Sequence, residues 1–209
     1  MKSILVLFIT FAISICHAEG SQKWYFNNEE LSKIIEMYSS MSGQKFIIDP
    51  GVRGKVSIFN QGPISTEEAF NQLSSALAIN GFGISKQGDT MIIKSARNIQ
   101  RDLIEVSSEV PSLKPERIYT WIYTAKNIPV TEINRDFRIL LSKDGESNII
   151  VRKNQIIFTD WASNLNRVAS IMKQIDTPVS PEAAKLAALS LKENQQERKE
   201  RQEKKSKQE

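Results

Sequence analysis

The two side chains with the strongest intrinsic reactivity sit next to each other: Cys16 and His17 are the only thiol and the only imidazole in the 209 residues. Such a pair could supply a nucleophile with its base, or two ligands of a zinc site. Their setting argues otherwise. Lys2 is followed by an apolar run from Ile4 to Ile15, broken only by Thr10 and Ser14, and Cys16 and Ala18 place small residues just before a cut after Ala18. That is the three-part pattern of a secretory leader over residues 1–18, and the run falls short of the about 20 apolar residues that span a bilayer. Lipid attachment at Cys16 is disfavoured, because Ile15 stands where a small residue is expected. The expectation is an exported, periplasmic chain with no membrane span after cleavage. Such a chain has neither a thiol nor an imidazole. Thiol oxidoreductases, Ser-His-Asp hydrolases, His- or Cys-ligated zinc sites and disulfide frameworks are then excluded by inventory, and no catalytic residue, cofactor or metal is assigned.

The remaining chemistry is weaker. Glu29-Glu30 and Glu67-Glu68 fall in first helical turns, where acids complement the helix dipole, and Asp160 is placed to cap a helix; none forms the paired carboxylates that a hydrolase needs. Gly51-Val52-Arg53-Gly54 has the GxxG spacing of a KH loop, but it leaves one strand and enters another, whereas a KH clamp joins two helices. Charge also argues against nucleic acid. The formal net charge is +4, Lys2 leaves with the leader, and residues 179–209 alone carry eight Lys or Arg against six Glu. The body is close to neutral, without the footprint of a phosphate-backbone binder. Tyr119, Trp121 and Tyr123 alternate along one strand with Ile118, Thr120 and Ile122, so they either fill a core or display an aromatic platform to a partner.

These residues are positioned by an α+β chain of two small sandwich lobes. Over residues 22–96 the order reads β-α-β-β-α-β-β: a strand at Trp24-Tyr25-Phe26, a helix capped by Asn27 or Asn28 with Leu31, Ile34, Ile35 and Tyr38 on one face, strands at 45–49 and 56–59, a helix opened by Ser65 and Glu68, and a hairpin around Gly88. Residues 97–116, with Pro111 and Pro115, read as a linker. Residues 117–178 read as β-α-β-β-α, a KH-like order, with Pro129 opening a helix through Leu141, a hairpin around Lys153-Asn154, and a last helix carrying Leu165, Val168, Met172 and Ile175. Residues 179–209 form a charged tail, helical or disordered, whose Glu197/Arg201 and Glu200/Lys204 pairs support a solvated helix without making a core.

The stretch Phe46-Ile47-Ile48-Asp49-Pro50-Gly51-Val52-Arg53-Gly54-Lys55-Val56-Ser57, followed by a helix ending in Asn80-Gly81-Phe82, resembles the first, STN-like, periplasmic N-domain of bacterial outer-membrane secretins. The second lobe is similar to the next secretin N-domain, through Asn148 to Val151, Ile156 to Asp160, and the closing helix with its Asp176-Thr177-Pro178 end. The resemblance covers about residues 22–178 and does not extend to the secretin barrel. It implies a non-enzymatic adaptor or ring component of a secretion, pilus or DNA-uptake machine. Its partners would be proteins of the cell envelope, an inner-membrane secretion component or a secretin, and it could form a homo-oligomeric ring. Two other readings stay open: a signalling adaptor of the TonB-dependent transducer type, and a nucleic-acid-binding module for uptake. The candidate partner-binding residues are Trp24, Tyr25, Phe26, Val56, Ser57, Ile58 and Phe59, where a strand edge could accept a partner strand, together with Tyr119, Trp121 and Tyr123.

Overall fold

The computed structural model describes residues 23–102 and 104–206. The expected leader, residues 1–18 with Cys16 and His17, lies outside the described residues. The first lobe runs β1 (Phe26–Glu30), α1 (Leu31–Ser42), β2 (Lys45–Ile48), β3 (Lys55–Ile58), α2 (Thr66–Ile79), β4 (Phe82–Gln87) and β5 (Thr90–Ser95). Its strands part into two sheets. β1 and β3 form an antiparallel pair, while β5 lies between a parallel β2 and an antiparallel β4. Leu31, Ile34, Ile35 and Tyr38 of α1 meet Ala69, Leu73, Ala76 and Leu77 of α2 and Ile93 of the central strand in one buried cluster, as the 3.6-residue spacing of both helices requires.

The start of the chain differs from the sequence expectation. The strand begins at Phe26 rather than Trp24, and neither Asn27 nor Asn28 caps α1, whose N-cap position is Glu30 without a side-chain cap bond. Asn28 instead takes φ 53° at a register shift between Phe26 and Glu29, a bulge that asparagine tolerates better than most residues. Its N–H donates to Ser57 Oγ at 2.8 Å. The cap of α1 comes from the GxxG loop, since Leu31 N–H donates to the Gly54 carbonyl at 3.0 Å. Gly54 has φ 134°, and a Cβ there would lie 2.4 Å from Asn80 Oδ1 at the end of α2. The loop ties the start of one helix to the end of the other, which explains its glycine without a ligand.

Residues 97–116 are more structured than a linker composition suggests. A one-turn helix α3 (Ala96–Ile99) buries Ile99, Lys94 pairs with Asp102 at 2.9 Å, and β6 (Val106–Ser107) adds in parallel to the second lobe. That lobe runs β7 (Ile118–Thr124), α4 (Val130–Phe137), a 3-10 turn at Arg138–Leu140, β8 (Glu146–Ile150), β9 (Gln155–Trp161) and α5 (Ala162–Ile175). Its sheet has the order β6-β7-β9-β8. Val130, Ile133, Phe158, Leu165, Val168 and Met172 form its core. Asn154, at φ 50°, turns the hairpin and staples the entry to α4: its side chain donates to the Ala125 and Ile128 carbonyls and accepts from Val130 N–H.

Two details of this lobe also differ from expectation. The helix opened by Pro129 ends as a helix at Phe137 and continues to Leu140 as a 3-10 turn. Asp160 lies at the end of β9 and does not occupy the N-cap of α5, which is Trp161. A third small cluster, Ala96, Ile99, Ile118 and Trp161, joins the lobes, and Gln100 Nε2 donates to the Asp144 carbonyl across the same junction. Small lobes of this size gain from such shared burial. The tail is a helix, α6 (Pro181–Ser206). Among the described residues, no helix is long and apolar enough to cross a membrane.

Candidate docking surface

The ten partner-binding candidates separate by burial. Trp24 and Phe26 are in the first core, with their rings edge to face at 4.9 Å. Tyr119 and Trp121 are buried in the second, where Trp121 stacks on Phe158 at 5.6 Å and its indole N–H donates to the Ser108 carbonyl at 3.2 Å. Tyr123 is half-buried, and its hydroxyl donates to Asp176 at 2.5 Å. The alternating stripe on β7 is thus largely core, as aromatic side chains of this bulk usually are.

Tyr25 and Phe59 behave differently. They are 47% and 63% exposed, and their rings lie 5.2 Å apart, tilted at 47°. The ammonium of Lys23 stands 5.8 Å from the Tyr25 ring. Tyr25 precedes β1 and Phe59 follows β3, so pairing of the two strands brings together residues 34 positions apart in sequence. Between them, Val56 and Ile58 turn toward the core while Ser57 is exposed. Among the described residues β3 pairs only with β1, which leaves its other edge without a strand. Along that edge runs a groove of about 240 Å³, floored by Val56, Ile58 and Ala76 and walled by Ile79 and Leu113. The segment leading into β1 is held in place by Asn60, whose Nδ2 donates to the Trp24 carbonyl at 2.9 Å and whose amide exchanges bonds with Gln72.

Ile79 and Leu113 are members of this surface that the sequence reading missed. Both are large, apolar and exposed, at 78% and 58%. Ile79 is off the buried face of α2, and Leu113 sits between two prolines; an apolar residue at a position with no core to join was the available signal. Lys114 reaches Glu68 at 3.6 Å, so the connecting segment is pinned beside the groove by an exposed ion pair of small energetic value.

The far end of the second lobe is held by Asp176. Its carboxylate accepts from Tyr123 Oη and from the backbone N–H groups of Lys126 and Asn127, at 2.5, 2.8 and 2.6 Å. Burial is the largest single influence and pushes its pKa up, but these hydrogen bonds together outweigh it and hold the carboxyl below its ordinary 3.8. Burial and the bond to Asp176 raise the Tyr123 hydroxyl. The stability from Asp176 is therefore fully present above about pH 4 and lost as pH falls through the lowered folded-state value. Asp176→Ala is expected to cost about 1–2 kcal/mol at pH 7, discounted for partial exposure. The gap between parent and variant should narrow in thermal melts as pH falls below 3.8 and through the lowered folded-state value; a gap independent of pH would mean that the carboxylate's charge contributes nothing.

Among the described residues, no group of three or more His, Cys, Asp or Glu side chains could hold a metal ion. What the first lobe offers is an open strand edge, an exposed aromatic pair and an adjoining apolar groove, an arrangement suited to binding another protein.

Residues 24–93 match the family described as GspD-like, N0 domain. The chain is 24% identical to the secretin XcpQ of Pseudomonas aeruginosa over 187 residues, 82% of this chain and 28% of that protein. It is 26% identical to the secretin GspD of Vibrio cholerae over 155 residues, 72% of this chain and 23% of that protein. The chain thus spans about a quarter of the length of these relatives. In structure it is similar to a chain of the Klebsiella pneumoniae type II secretion system outer membrane complex of PulD, PulS and the PulC HR domain, with a TM-score of 0.66, 19% identity, and coverage of 74% of this chain and 27% of that one. That likeness extends past the first lobe into the second. The family match falls on the residues of the first lobe, and it is to the N0 domain of the GspD-like secretins that this lobe is similar.

Proposed function

We propose that this protein is a periplasmic, non-enzymatic docking component of a type II-like secretion machine, and that its first lobe binds an inner-membrane component through the outer edge of β3. The observation that carries the reading is the β1–β3 pair with its free edge and the exposed Tyr25–Phe59 rings beside an apolar groove. An incoming strand would satisfy the unpaired backbone groups of β3 while its alternate side chains fill the groove. The Klebsiella complex, which contains a PulC HR domain alongside PulD, supports a protein partner of that class.

In-cell photocrosslinking tests this. A photoreactive residue at Lys55, exposed on β3, is expected to capture an inner-membrane secretion component, and one at Gln87, at the distant β4–β5 turn, is not. Capture of the same protein from Gln87 alone, or of no envelope protein from Lys55, would overturn the assignment.

A further inference from the structure

A second open groove lies on the other lobe, and the same chain carries a helix face of matching length. The groove, of about 520 Å³, runs between α5 and β7; Trp121, Val110 and Ala169 supply its apolar lining, and Lys126 and Lys173 stand at the end near Asp176. On α5 it is bordered by Asn166, Ala169, Ser170 and Lys173, which share one face at i, i+3, i+4 and i+7. The helix is α6. Its Leu186 and Leu189 are 65% and 48% exposed, and no apolar residue follows Leu191. Glu182, Leu186, Leu189 and Glu193 again fall at i, i+4, i+7 and i+11.

We infer that the first half of α6 folds back antiparallel to α5 as a lid on this groove, with Leu186 and Leu189 over its apolar lining. Three features of the chain are consistent with one register. The connection between the helices is the five residues from Asp176 to Ser180, within the usual length for an antiparallel helix pair. Setting Pro181 opposite Ile175, both helices advancing by the same rise per residue, places Glu182 by Lys173, Leu186 by Ala169 and Ser170, and Leu189 by Asn166. The acid thus meets the end that carries Lys126 and Lys173, Leu186 meets the small residues of the middle, and Leu189 meets the end where Asn166 donates to the Pro111 carbonyl beside Val110. The apolar residues of α6 also stop at Leu191, where the groove-bordering part of α5 has been matched.

A second copy is the weaker occupant. Two leucines cover far less than the roughly 1,200 Å² of a stable protein–protein interface, whereas a five-residue tether supplies a high effective concentration to its own groove. In the structure described here the groove is open and the leucines exposed, the undocked side of this equilibrium.

The test uses the full chain with Cys16→Ser and a short bis-maleimide. Ser170→Cys with Lys185→Cys puts both thiols beside the inferred contact, and Ser170→Cys with Ala188→Cys puts the second thiol on the opposite face of α6. The first pair is expected to give a monomeric crosslink at about ten times the rate of the second, as a tethered, oriented contact should. Adding Leu186→Asp and Leu189→Asp, at positions exposed in the open structure and so harmless to the fold, is expected to bring the rate down to that of the control. Equal rates for the two pairs, no adduct, a predominantly dimeric adduct, or indifference to the aspartates would each overturn the lid.

Discussion

Phe59→Ala combined with Tyr25→Ala is expected to weaken capture of the partner from Lys55 at least a hundredfold, with the first lobe still folded. The reasoning rests on exposure. Both rings contact each other and solvent more than the core, at 47% and 63% exposed, so truncation leaves no cavity, while anchoring aromatics at interfaces typically contribute about 2 kcal/mol or more each. Trp24→Ala provides the contrast: Trp24 is buried against Phe26 and Tyr38, so its loss should unfold the lobe at a cost of about 3–5 kcal/mol. Circular dichroism beside the crosslinking yield separates the two behaviours. Full capture by a folded double variant would exclude the aromatic pair from the interface.

Ser57→Pro probes the edge itself. A proline removes a backbone donor and is tolerated only where that donor is not needed by the sheet. Here it also removes the hydroxyl that accepts Asn28 N–H at the β1 bulge, so Ser57→Ala is the companion that isolates the hydroxyl. Loss of capture by a folded Ser57→Pro variant, with Ser57→Ala near the parent, is the pattern that edge pairing requires.

The parts of this fold that were legible in the sequence are those set by periodicity. Leu31, Ile34, Ile35 and Tyr38, or Leu165, Val168 and Met172, repeat at helical spacing over enough turns to mark a buried face before any partner is known. What was not legible depends on single long-range contacts. Trp24, Tyr25 and Phe26 are three aromatics in a row, and only the β1–β3 register assigns the first and third to the core and the second to the surface. Residues 97–116 have no period, yet Ile99 fills the junction between lobes and the Ser108 carbonyl accepts the Trp121 indole. One-residue anchors of this kind leave no pattern to read. The groove wall was missed for the same reason: Leu113 becomes part of a surface only because its segment crosses beside α2.

Asp160 is the case where the local reading was plausible and a distant one prevailed, and it carries a large expected loss of stability. Its position just before α5 suits a helix cap, but its carboxylate is fully buried and accepts from Ser142 N–H and Oγ–H at 2.8 and 2.5 Å, from Trp161 N–H at 2.8 Å and from Asn164 Nδ2 at 2.5 Å. It therefore joins the chain after α4, the end of β9 and the first turn of α5 at one point. Asp160→Ala strands several of these donors out of water and is expected to cost about 4 kcal/mol, enough to unfold the second lobe in mild urea. Asp160→Asn keeps one acceptor but turns an amide NH₂ toward N–H donors, for about 2 kcal/mol. Gly145 supplies an internal check. A Cβ at that residue would lie 2.3 Å from Asp160 Oδ2, so Gly145→Ala alone should be strongly destabilising, whereas in the Asp160→Ala background the atom it strikes is gone. The double variant should then be little worse than Asp160→Ala, a departure from additivity that only a direct contact produces. Urea melts of the four proteins measure it, and strictly additive losses would mean that the carboxylate and the glycine act independently.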